Sequence, residues 1–122
     1  MEHRKTFDRE LEELKKSILK MSAAAHELIN GSILAFDRCD AGLAKDVIAG
    51  DEEVDRLNRD INQKCVELLA LRQPEASDLR FLVTAMRIAA DLERVGDHAT
   101  NISEDVIYMV EGRREIKHGG KK

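Results

Sequence analysis

Tryptophan is absent from this chain, tyrosine and proline occur once each, and phenylalanine three times in 122 residues. With so few aromatics and helix breakers, what remains is rich in Ala, Leu, Glu, Lys and Arg, the composition of long helices and bundles. A basic excess is also missing: the net charge is −4, so nothing marks the chain as a nucleic-acid binder. Its two cysteines, Cys39 and Cys65, form no CxxC pair. They fit a reducing compartment, in which a buried thiol behaves as a small hydrophobe. The opening MEHRKTFDRE has no apolar stretch of the signal-peptide kind. No uncharged apolar run approaches the ~18 residues of a membrane span. A cytoplasmic protein without membrane insertion is therefore the expectation. GxSxG, P-loop and GxGxxG motifs are lacking, and neither cysteine has a local His or acid arrangement, so no catalytic activity is expected.

What is present is helical periodicity. By length the chain reads as one domain, residues 1–122, able to bury about two-thirds of its unfolded surface. Phe7, Leu11, Leu14, Ile18, Met21, Ala25, Leu28, Ile33 and Phe36 step by three or four, or close to it, and predict an amphipathic helix over about 6–38. Gly31 inside it is tolerated or marks a close approach. Asp40 is a candidate N-cap for a second helix, about 41–72, whose stripe is Leu43, Val47, Val54, Leu57, Ile61, Leu68 and Leu69. Beside that stripe runs a polar strip: Asp51, Asp55, Asn58, Asn62, Cys65, Leu69. Pro74 ends the segment. Ser77 is a candidate N-cap for a third helix, about 77–111, closed by Gly112. Three helices joined by very short turns pack side by side, so an all-α, antiparallel three-helix bundle is predicted.

The third helix has an unusual feature. Leu79, Leu82, Val83, Met86 and Ala90 read as its core-facing line, and seven-residue steps from Met86 and Ala90 arrive at Glu93 and Asp97. The apolar line thus turns acidic halfway, while Leu92, Val95, Ala99, Ile102, Val106 and Val110 carry the packing onward. Glu93 and Asp97 are four apart, on one helical face, and repel each other by a few tenths of a kcal/mol. Asn101 extends the line by a turn. Asp51 and Asp55 repeat the four-residue step on the second helix. Two acid pairs on two helices point either to a cation site or to a solvated acidic face with Arg56, Arg59 and Arg94 as partners. Oxygen-only ligands favour hard ions such as Mg²⁺, Ca²⁺ or Mn²⁺, and carboxylates also hold iron. His26 and His98 read as ordinary helix histidines. Neither belongs to a Glu-x-x-His pair, which disfavours a carboxylate-bridged di-iron enzyme.

Two segments carry a more specific likeness. Gln73-Pro74-Glu75-Ala76-Ser77-Asp78-Leu79-Arg80, and then Asp91-Leu92-Glu93-Arg94-Val95-Gly96-Asp97-His98-Ala99-Thr100-Asn101-Ile102, resemble the two hallmark segments of the PhoU family of phosphate-signalling regulators. Gly50-Asp51-Glu52-Glu53-Val54-Asp55-Arg56-Leu57 resembles a third, and Phe7-Asp8-Arg9-Glu10-Leu11 is in the family's style. The resemblance implies three-helix units and a metal motif that falls here on Asp51, Asp55, Glu93 and Asp97, with Asn101 adjacent. It implies multinuclear iron, or Mg²⁺, Mn²⁺ or Zn²⁺. The implied role is negative regulation of the phosphate regulon, through contacts with a phosphate ABC transporter and a sensor histidine kinase. Family members typically carry the unit twice in tandem, and this chain carries it once. A homodimer that rebuilds the tandem arrangement is therefore expected. The alternative from the residues alone is a helical interaction or scaffold module whose acidic faces only solvate.

Overall fold

Three helices account for nearly all of residues 2–112, which the computed structural model describes. They are α1 (Glu2–Arg38), α2 (Ala41–Arg72) and α3 (Ala76–Glu111). At 1.5 Å per residue each spans about 50 Å, so the bundle is long and thin. Two tight turns set its path. After α1, Cys39 takes the left-handed conformation with φ 52°. The Cys39 and Asp40 N–H groups then bond back to the carbonyls of Phe36 and Ala35. Those two bonds satisfy carbonyls that a helix end otherwise leaves open. Asp40 acts at once as the N-cap of α2, its Oδ1 accepting from the Leu43 N–H at 2.9 Å. The second turn uses Gln73, also left-handed (φ 47°), followed by Pro74. Here Glu75, not Ser77, takes the N-cap position, in extended backbone and without a side-chain cap bond. α3 starts at Ala76, one residue before the serine is reached.

The expected all-α three-helix architecture is what the chain adopts, with every pair of helices in contact. The core follows the predicted stripes of α1 and α2 closely: Phe7, Leu14, Met21, Ala25, Leu28, Val47, Val54, Leu57, Ile61 and Leu68 are buried. Gly31 marks a close approach, because a Cβ there would lie 2.9 Å from Val47 Cγ2. Cys65 is buried and Cys39 exposed, and both are free thiols. Burial pushes the Cys65 thiol up from its ordinary value and keeps it protonated.

Two stretches depart from the predicted stripes. Ile33 and Phe36 are more than half exposed, and Ser32 and Ala35 are buried in their place. On α3, Leu79, Val83 and Ala90 face outward, while Leu82, Ala85, Ala89, Gly96, Ala99, Thr100 and Ser103 face inward. Val110 is exposed as well. The physical reason is the same in both places. Small residues let helix axes approach closely, so from Ala85 to Ser103 the buried positions of α3 are Ala, Gly, Thr and Ser, with Leu82 before them and Val106 and Ile107 after. The line of Glu93 and Asp97 is therefore the flank of α3, beside the core rather than in it.

Candidate metal centre

The close approach of α2 and α3 builds the site. Asp51 sits on the α2 polar strip and is only 1% exposed. Its carboxylate lies against the bare backbone of Gly96: a Cβ on that residue would fall 2.5 Å from Asp51 Oδ1. Any other residue at 96 would push the carboxylate aside. Asp55, one turn along α2, is half-buried, and Asp97, the neighbour of Gly96 in sequence, is exposed. One carboxylate oxygen from each of Asp51, Asp55 and Asp97 lies within 4.8 Å of the others.

Glu93 belongs to the same electrostatic neighbourhood. Its carboxyl is held above the usual carboxylate range, first by burial and then by the negative charges of Asp97, Asp55 and Asp51. The structure thus brings together the four acids singled out from the sequence, three with one oxygen apiece within 4.8 Å of one another and Glu93 coupled to them by charge. Asn101 lies one turn beyond Asp97 on the exposed flank, and His98 is exposed on a different side of α3. His26 stands at 3.1 Å from the Asn30 amide, on α1. Arg56, a candidate partner for the acids, instead pairs with Glu53 at 2.8 Å and Asp60 at 3.1 Å on its own helix.

The donor set fits a hard cation. Oxygens bound at about 2.0–2.6 Å from one ion lie at most about 5 Å apart, and the three aspartates meet that limit. They reach it from two helices, so an ion held there would tie α2 to α3. Gly96 was legible only as a letter within a motif; its part as the seat of Asp51 needed the packing of two helices. Thr100 and Ser103 were not singled out at all. They continue the line of Gly96 at four and seven residues, and their hydroxyls are buried with no hydrogen-bond partner among the described residues. The small-residue spacing Gly96, Ala99, Thr100, Ser103 was the available signal.

Residues 18–106 match the PhoU domain. The chain belongs to the PhoU family. Similar proteins include the phosphate-specific transport system accessory protein PhoU homolog of Pseudomonas putida, 38% identical over 93% of this chain and 47% of that protein. The homolog of the same name from Aquifex aeolicus is 42% identical over 84% of this chain and 47% of its own length. That from Rhizobium meliloti is 43% identical over 84% of this chain and 44% of its own. The chain spans about half the length of these PhoU relatives. The matched span contains both acid pairs, so the candidate centre lies within the part that defines the family. PhoU relatives bear the name of accessory proteins of the phosphate-specific transport system.

Proposed function

We propose that this PhoU-family chain is a metal-binding regulatory protein of phosphate uptake and signalling. It acts in the cytoplasm as a negative regulator, without catalysis, through contacts with a phosphate ABC transporter and a sensor histidine kinase. The observation that carries the metal part is the convergence of Asp51, Asp55 and Asp97 from two helices within 4.8 Å. The names of the relatives support the phosphate-transport part.

Asp51, Asp55 and Asp97 hold the ion, with Glu93 as the adjacent acid and Asn101 at the outer edge. Iron, Mg²⁺, Mn²⁺ or Zn²⁺ are the candidates, and an all-oxygen donor set favours the harder ones. A bound cation supplies positive charge that cancels the repulsion among four acids and fixes the α2–α3 flank as a surface for partners. No described helix is long and apolar enough to cross a membrane, so contact with a transporter runs through protein surfaces. Self-association completes the reading. Ile33, Leu34, Phe36, Tyr108, Met109 and Val110 expose large apolar side chains at one end of the bundle, and a second copy would cover them.

The test is metal analysis, divalent-ion-dependent melting and light scattering on the parent and on Asp97→Ala. The parent should carry metal, melt higher with added ions and scatter as a dimer, and the variant should lose metal. Metal-free protein in both cases, with melting indifferent to ions, would leave only a helical scaffold with a solvated acidic face. A strict monomer would remove the dimer.

A further inference from the structure

Outside the acidic centre, the structure holds a second feature that the phosphate-regulator reading does not use. A groove of about 260 Å³ runs between α1 and α3. Its walls are apolar, with Ile18, Leu19, Phe81, Ala85 and Ile88, and Thr84 and Lys15 stand at its edge. Leu19 is 69% exposed and Ile88 40%. Along the α3 edge run Arg80 and Arg87, four residues before Thr84 and three after it, hence its neighbours on the helix surface. Arg94 continues the line at the same seven-residue step. All three arginines are exposed. The ion pairs among the described residues use Arg4, Arg56 and Arg72 but none of these three. On the α1 edge, the Lys15 ammonium lies 5.9 Å from the Phe81 ring centroid.

We infer that this groove and its arginine edge form a docking site for an acidic amphipathic helix of a partner protein. The inference goes beyond the proposed function and stands without it. The apolar floor takes leucine-like side chains at helical spacing. Acids on the flank of the incoming helix, one every seven residues, meet Arg80, Arg87 and Arg94. Consecutive arginines are about 10.5 Å apart along the axis, too far for a single phosphate or carboxylate to bridge. A nucleic acid or an anionic bilayer is disfavoured by charge: the chain carries −4 overall, and Glu93 and Asp97 flank Arg94 on the same helix. On that edge Asp91, also exposed, stands between Arg87 and Arg94, so a narrow helix meets three arginines and one acid, whereas a broad polyanion also meets Glu93 and Asp97.

The probe is a fluorescein-labelled 21-residue helical peptide with three glutamates at heptad spacing and leucines along the adjoining stripe. Fluorescence anisotropy should show saturable binding to the parent that weakens with salt. Arg80→Glu/Arg87→Glu/Arg94→Glu together should weaken it at least about tenfold, as loss of three modest ion pairs and gain of three repulsions implies. Leu19→Ser should weaken it independently, and a peptide with lysines in place of glutamates should not bind. All four substituted positions are exposed, and circular dichroism is the check that each variant keeps its helices. No binding of the acidic peptide, or equal binding to parent and variants, overturns the inference. So does tighter, arginine-dependent binding of phosphatidylserine vesicles or of duplex DNA, which would give the surface to a polyanion.

Discussion

Gly96→Ala tests the close contact on which the candidate centre rests. The new methyl carbon would stand 2.5 Å from Asp51 Oδ1 and 3.4 Å from Val54 Cγ1. An ordinary carbon–oxygen contact is about 3.3 Å or longer, so something must move by about 0.8 Å. Asp51 is 1% exposed and has little room to retreat. Overpacking of this kind costs about 1–3 kcal/mol. Against it, replacing a mid-helix glycine by alanine favours the helix by about 1 kcal/mol. The expected net effect ranges from neutral to about 2 kcal/mol destabilising, a fall of up to about 8 °C in a domain of this size. The decisive comparison is a double-mutant cycle by thermal melting. In an Asp51→Ala background the obstacle is gone, so Gly96→Ala should raise the melting temperature by about 4 °C. If Gly96→Ala raises the parent by as much as it raises the Asp51→Ala protein, then Asp51 does not lie against Gly96 and the account of the site fails.

Two further predictions follow from the acids and the turns. Glu93 has its folded-state pKa raised by burial and by Asp97, Asp55 and Asp51. The folded protein therefore holds this proton to higher pH than the unfolded chain, and stability falls as pH rises from the unfolded to the folded pKa. In chelator, Glu93→Gln should melt higher than the parent at pH 7 and show a flatter decline across that window; an unchanged slope would show that Glu93 does not feel the other acids. Gln73 holds φ 47° without a glycine's freedom, so Gln73→Gly should stabilise by about 1 kcal/mol in urea titration while Gln73→Ala should not. Equal behaviour of the two would place the strain elsewhere.

The bundle was legible because α1 and α2 carry large apolar residues on a regular stripe, from Phe7 to Leu28 and from Val47 to Leu68. Asp40 could be read as a cap because its side chain needs only its own helix's backbone. The inward face of α3 was harder to read. Ala85, Ala89 and Ala99 carry little hydrophobic signal, while Leu79 and Val83 carry much and lie outside. A line extended by sevens also rotates by about 20° per step, so following it from Leu79 through Met86 to Glu93 tracks the flank. The acid pairs themselves were plain from their spacing of four. Which acid is buried was not, since Asp51 owes its burial to a glycine on another helix, a relation between residues 45 positions apart.

The contact between Asp51 and Gly96 also fixes how α3 lies along α2. A helix face built of alanine and serine is smooth, and a smooth face permits sliding. Here one position is notched. A slip of α3 by one turn in either direction would bring Leu92 or Thr100 beneath the Asp51 carboxylate, and each carries the Cβ that Gly96 lacks. The pair therefore works as a key in a slot. It admits one axial alignment of the two helices, and that alignment sets Asp55 beside Asp97.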